Sequence, residues 1–244
     1  MVKLYTMDMW QAYLKAEWYS PSYAFMKHTH LLRQIDWDEK RGRTDGRLKP
    51  MREAMAAANL ALASQALFGT EVWFQLSQPD PPDFRLLRKS PDNGESLLLV
   101  DVEHTSYDHV GPKITLPSQL LATKFKKKSY SNSHMLLIEV QSLDLNQTFA
   151  VHQAMKQRKI EYEVWLMHGR LEDGAHKIGV HALNVLPGEV ATLDADTKFE
   201  GARFPNQAPR LRFLRKGVRR MDDATTPTSP SQPYPWPDPF NLRY

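Results

Sequence analysis

The sequence predicts an α/β protein whose core runs helix, three-strand meander, helix, strand, flanked by a helical N-terminal extension and an extended proline-rich tail. Three observations predict it. The stretch 50-PMREAMAAANLALASQALFG-69 is a run of strong helix formers with proline at its start and glycine at its end. Three strand-like runs follow, 71-EVWFQLS-77, Asp83–Arg88 and 97-LLLVDVEHT-105, separated by turn-forming residues. Beyond them helical and strand patterns alternate.

Residues 1–45 form the extension, rich in aromatics (Trp10, Tyr13, Trp18, Tyr19, Tyr23, Phe25, Trp37) and expected as one or two short helices broken at Ser20-Pro21. Trp10, Tyr13, Leu14 and Trp18 recur at steps of three and four, which favours packing into a core or a subunit contact. The loop 40-KRGRTDGRLKP-50 leads into the long helix, whose alanines imply close packing against a sheet. Pro91-Asp92-Asn93-Gly94 marks the turn before the third strand. After Gly111-Pro112, 117-PSQLLATKFKKK-128 reads as an amphipathic helix. Strand 135-MLLIEVQS-142, helix 147-QTFAVHQAMKQRK-159, strand 162-YEVWLMHGR-170 and strand 176-HKIGVHALNV-185 complete a core placed at 46–200. A basic segment, 201–221, precedes the tail, 222–244, in which repeated prolines forbid helix and central strand alike.

A chain of 244 residues buries one large core, or a main domain with a smaller one. No apolar run reaches the length of a bilayer span, and the N-terminus lacks a signal peptide's pattern, so the cytoplasm is the expected compartment. The absence of cysteine excludes disulfides and thiolate metal sites, leaving oxygen and histidine ligands. The net charge of +4 is concentrated at Lys124, Lys126, Lys127 and Lys128 and between Arg203 and Arg220, where Arg212, Arg215 and Lys216 lie. Such patches suit a polyanion, nucleic acid first; a solvated face joined to a basic linker is the plainer account. Phosphate loops, dinucleotide fingerprints and Gly-x-Ser-x-Gly elbows are absent from the sequence.

The third strand ends in Asp101-Val102-Glu103. Alternation along a strand turns both acids to one side, and Asp83 would add a third on a neighbouring strand. Carboxylates gathered in this way repel one another, which calls for a cation or a buried basic partner. The same alternation turns His104 away from them, as a core or edge histidine. The pair His28 and His30 would bind a metal if its segment were extended, but in an aromatic-rich segment is read as packing, and His168 and His181 sit in strands with no acid partner nearby in sequence.

A helix bearing Glu53, then Pro82-Asp83, then a strand ending in acid-x-acid resembles the PD-(D/E)xK, or restriction-endonuclease-like, nuclease superfamily. The resemblance covers residues 50–142, and extends to about 185 if the later strands join the sheet. It implies that Asp83, Asp101 and Glu103 hold Mg²⁺, with Mn²⁺ as substitute, that Glu103 is a further ligand or general base, and that Glu53 assists. Glu103 stands where that family usually has lysine, and Lys124 on the next helix is a candidate replacement. A rival register places the motif at Glu139 and Gln141. The implied activity is endonucleolytic hydrolysis of DNA, with RNA second, the basic segments holding the phosphate backbone. The alternative is a nuclease fold without catalysis, binding nucleic acid or protein within a homodimer or larger complex through the N-terminal segment or tail. A protein whose acids merely line a solvated edge is the third reading.

Overall fold

The computed structural model describes residues 18–19, 21, 24–25, 49–69, 72–77, 82–89, 97–107, 116–126, 134–140, 145–172, 175–185, 190–194, 211–214 and 217–220, in two units divided between Leu99 and Val100. Residues predicted as one core over 46–200 contribute to both.

The first unit is built on α1 (Lys49–Phe68), β1 (Val72–Leu76) and β2 (Phe84–Lys89). Helix α1 ends where Gly69 enters the left-handed region at φ 66°, its N–H donating to Gln65 O at 2.8 Å. A residue with a Cβ would be strained there, which is why the helix stops at glycine. Its alanines Ala54, Ala56, Ala57, Ala58, Ala61 and Ala63 are buried, so the helix is covered on most of its circumference. Gln65 Nε2 donates to Val72 O at 3.3 Å, tying the helix to the first strand. Strands β1 and β2 pair antiparallel, Val72 opposite Arg88 and Leu76 opposite Phe84. Trp18 and Tyr19 are buried, and Tyr19 extends the pairing through N–H···O bonds with Phe74 of 2.8 and 3.0 Å. Trp10, Tyr13, Tyr23 and Trp37 lie outside the described residues.

The second unit contains β3 (Leu97–Tyr107) from Val100 onward, α2 (Leu116–Ala122), β4 (His134–Val140), α3 (Leu145–Arg158), β5 (Glu163–Glu172), β6 (Ala175–Ala182) and β7 (Val190–Asp194). Strands β3, β4 and β5 run parallel, and β5, β6 and β7 antiparallel. Parallel neighbours need crossovers, which α2 and α3 supply. One face carries Leu136, Ile138, Val140, Val164 and Leu166, packed with Leu116, Leu120, Val151, Ala154 and Met155 of the helices. The opposite face buries Val102, Met135, Leu137, Trp165 and Met167. Burial on both faces explains why 135-MLLIEV-140 reads as a continuous apolar run rather than an alternating one.

Helix α2 is shorter than predicted, and the reason is tertiary. The chain leaves the helix at Thr123, and Phe125 folds back into the core, its N–H donating to Leu120 O at 2.8 Å. Consecutive lysines would repel along a continued helix. Strand β7 and the hairpin of β8 (Leu211–Leu214) and β9 (Gly217–Arg220) lie beyond the predicted strands. Arg212 is on β8, while Lys127, Lys128, Arg215, Lys216 and residues 221–244 lie outside the described residues. Among the described residues no helix is long and apolar enough to cross a membrane.

Candidate active site

Strand alternation places Asp101, Glu103, Thr105 and Tyr107 on the helix-covered face of the second unit's sheet, in register with His134, Leu136, Ile138 and Val140. Asp101 is fully buried at 0 % exposure, with His134 Nε2 3.9 Å from its Oδ2. One row along the same face, Glu103 Oε1 accepts a hydrogen bond from Lys124 Nζ, both side chains less than one-fifth exposed. The early end of α2 makes this pair. Thr123 Oγ1 donates to Gln119 O at 2.7 Å and Phe125 enters the core, so the intervening Lys124 turns toward β3. Partial exclusion of water leaves the attraction less screened than in a surface ion pair, and makes the loss of either partner costly.

Tyr162 stands at the start of β5, buried in the same helix-covered core. Burial pushes its phenol well above the ordinary tyrosine value, and the Glu103 carboxylate raises it further. It is therefore a neutral hydroxyl throughout the physiological range, in the electrostatic field of Glu103. Its backbone is held by Asn184, whose Nδ2 donates to Tyr162 O at 2.8 Å while its Oδ1 accepts from Val164 N at 3.0 Å. One amide side chain thus fixes the strand entry on which Tyr162 sits.

His104 faces the opposite way, as alternation predicts, and pairs with Glu139 at 2.9 Å between Nε2 and Oε2. That pairing places Glu139, the acid of the rival register, on the face opposite Asp101 and Glu103. Gln141 lies outside the described residues. Glu53 and Asp83 belong to the first unit. Glu53 is nearly buried and pairs with Lys49 at 3.2 Å, one helical turn earlier. Asp83 is half-buried, and its carbonyl accepts from Ser77 N at 3.0 Å. Lys126, in the turn after α2, is exposed.

Sequence reasoning passed over His134 and Tyr162, and took His168 and His181 singly rather than as a pair. His168 and His181 face each other at 3.0 Å between Nε2 atoms, and Nδ1 of His168 lies 3.3 Å from Gly169 O. Both contacts are met when His168 Nδ1–H donates to the carbonyl and His181 Nε2–H donates to His168. The one sequence signal for this pair is Gly179, opposite His168 on β6, where a Cβ would meet the His168 ring at 2.5 Å. Nothing local in sequence announces His134 or Tyr162, which reach Asp101 and Glu103 through parallel pairing.

Asp101 and Glu103 offer oxygen donors of the kind that hard divalent cations prefer, with Lys124 as the fixed positive group beside them. Among the described residues no three His, Asp or Glu side chains form a metal-holding group. Comparison of the chain with protein-family models, with curated proteins and with solved structures gave no match.

Proposed function

We propose that the chain is a metal-dependent endonuclease hydrolysing phosphodiester bonds of DNA, built on the restriction-endonuclease-like pattern, with Asp101, Glu103 and Lys124 at its centre. The observation that carries this reading is the Lys124 ammonium bonded to Glu103 on the face that also carries Asp101. The pattern expects a lysine where Glu103 stands, and an ammonium arrives at that carboxylate from the end of α2 instead. The donor set fits Mg²⁺ or Mn²⁺, since magnesium takes one or two carboxylates and fills its remaining positions with water and phosphate oxygens. The ion, when bound, supplies an activated water and neutralises charge on the phosphate.

The chain's own residues do the rest. Lys124 holds Glu103 in one rotamer and offers its other N–H groups to a phosphate oxygen or attacking water. The burial of Asp101 strengthens its interaction with any cation that reaches it. Tyr162, neutral beside Glu103, retains a proton to donate. Asp83 and Glu53 are the pattern's remaining acids, and their part is tested by substitution.

The test is nicking of supercoiled plasmid by the purified protein with Mg²⁺ or Mn²⁺, beside Asp101→Asn, Glu103→Gln, Lys124→Met, Asp83→Asn and Glu53→Gln. Metal-dependent nicking lost in Asp101→Asn and Glu103→Gln supports the reading; nicking retained in both sinks it. A second reading, a nuclease fold that binds nucleic acid without cutting it, is favoured by one observation. Asp101 has no exposed surface, and Glu103 is already neutralised by Lys124. Salt-sensitive DNA binding, unchanged in the variants and without nicking, selects it.

A further inference from the structure

Helix α3 closes differently from α1. Both end on a residue in the left-handed region, Gly69 at φ 66° and Lys159 at φ 51°. At Lys159 the closure is a full Schellman motif. Its N–H donates to Lys156 O at 3.1 Å, and the N–H of Ile160 reaches back to Met155 O at 3.1 Å. Met155 is core, and Ile160 packs against that core, which supplies the motif's apolar contact. Glycine is the residue this position favours, because any Cβ is crowded there. A lysine held at a strained position, with its side chain exposed, points to a use for the ammonium.

The outer face of α3 supplies a context for that use. Phe149, His152 and Lys156 follow at steps of three and four, one stripe on the helix, and Lys159 stands just past its last turn. Phe149 is 65 % exposed, the largest exposure among the described large apolar side chains, and Lys156 and Lys159 are exposed. The sequence of α3 contains no acid, and residues 109–138, which contain α2 and the exposed Lys126, contain five lysines and no acid. The two helices pack together on the sheet, and the exposed side of α3 with the turn after it carries Lys156, Arg158 and Lys159 against one exposed acid, Glu161.

We infer that Phe149 and Lys156 of α3, with Lys159 just past its end, are a binding surface for single-stranded nucleic acid, with a base stacked on the Phe149 ring and phosphates on the two lysines. An exposed aromatic flanked by cations is the arrangement that holds single strands with little sequence preference. A duplex, its bases already stacked internally, has no use for the ring. The inference deepens the nucleic-acid reading above but does not require cleavage, so the two fail separately.

The experiment uses the full chain in EDTA and a fluorescein-labelled oligodeoxythymidylate of twenty nucleotides, with anisotropy titrations over a series of NaCl concentrations. Lys159→Gly removes the strain and the ammonium together, so its two effects have opposite signs. It melts about 1–4 °C higher than the parent and binds the strand more weakly. Lys156→Gln and Lys159→Gly each lower the slope of log K against log salt by about 0.7. Phe149→Ala weakens binding roughly five- to hundred-fold. A Lys159→Gly protein that melts higher with affinity and slope unchanged overturns the inference, as does a parent that binds the matching duplex and not the strand. Loss of strand binding alongside intact plasmid nicking removes this surface alone; strand binding without nicking removes the nuclease alone.

Discussion

Substituting Gly179 by alanine tests how tightly the β5–β6 pair is packed. A Cβ at position 179 would lie 2.5 Å from Nε2, 3.0 Å from Cε1 and 3.2 Å from Cδ2 of His168. Ordinary contact begins near 3.4 Å, so the overlap is about 1 Å at the nitrogen. The ring has little freedom to retreat. It is 8 % exposed, and its two nitrogens face His181 at 3.0 Å and Gly169 O at 3.3 Å. Moving it costs about 1–3 kcal/mol in overpacking and about 1 kcal/mol for a displaced hydrogen bond, against a gain of about 0.5–1 kcal/mol for alanine over glycine in a strand. The expected net loss is roughly 1–3 kcal/mol, or about 2–10 °C in Tm. In a His168→Ala background the ring is gone and only the strand preference remains, so the sign reverses. There Gly179→Ala stabilises by about 0.5–1 kcal/mol. Thermal unfolding of the four proteins by circular dichroism reads both effects. A Gly179→Ala protein as stable as the parent, or equally destabilised in both backgrounds, refutes the packing argument.

Lys124→Met leaves the Glu103 carboxylate mostly buried without its ammonium, and should cost about 1–3 kcal/mol in urea unfolding; combining it with Glu103→Gln should cost clearly less than the sum of the two single losses. Tyr162, raised above its ordinary value of 10.0, contributes stability that is complete below pH 10 and declines above it, as the unfolded phenol ionises and the folded one does not. The fall of Tm between pH 10 and 12 should therefore be shallower in Tyr162→Phe than in the parent, and parallel curves would exclude the effect. Asn184→Ala should cost about 2–4 kcal/mol by stranding Tyr162 O and Val164 N. Asn184→Asp should do no better, because a carboxylate oxygen replaces the donor that Tyr162 O requires, and a neutral Asn184→Asp would show that the clamp is dispensable.

Legibility in the sequence followed the distance over which each feature is decided. Helix α1 and its end were readable because Pro50 and Gly69 act on their own neighbours. The common face of Asp101 and Glu103 was readable because alternation needs only one residue between them, and the opposite facing of His104 followed from the same rule. The early end of α2 was not readable, since Phe125 leaves the helix to fill a core made by β4, β5 and α3. For the same reason Lys124 could be named as a candidate cation while its bond to Glu103 could not be derived. His134 and Tyr162 owe their places to parallel pairing. The strand β7 and the hairpin β8–β9, each only four or five residues long, carry too little pattern to be recognised before their partners are known.

The pairing of β3, β4 and β5 also sets an order of events in time. Asp101 meets His134, and Met135 meets Glu163, only after loops of about thirty residues close. Strands β5 and β6 instead meet with only two residues of chain between them, Glu172 beside Ala175, and zip from there to Trp165 and Ala182. Local hairpins form within microseconds, while non-local parallel pairing is slow. The hairpin should therefore acquire protected amides early in refolding and β4, paired in parallel on both sides, late, an order that pulsed hydrogen exchange would resolve. Protection of β4 before the β5–β6 hairpin would reverse that account. Asp101 and Glu103 then meet His134 and the rest of β4 only after the β5–β6 hairpin has formed.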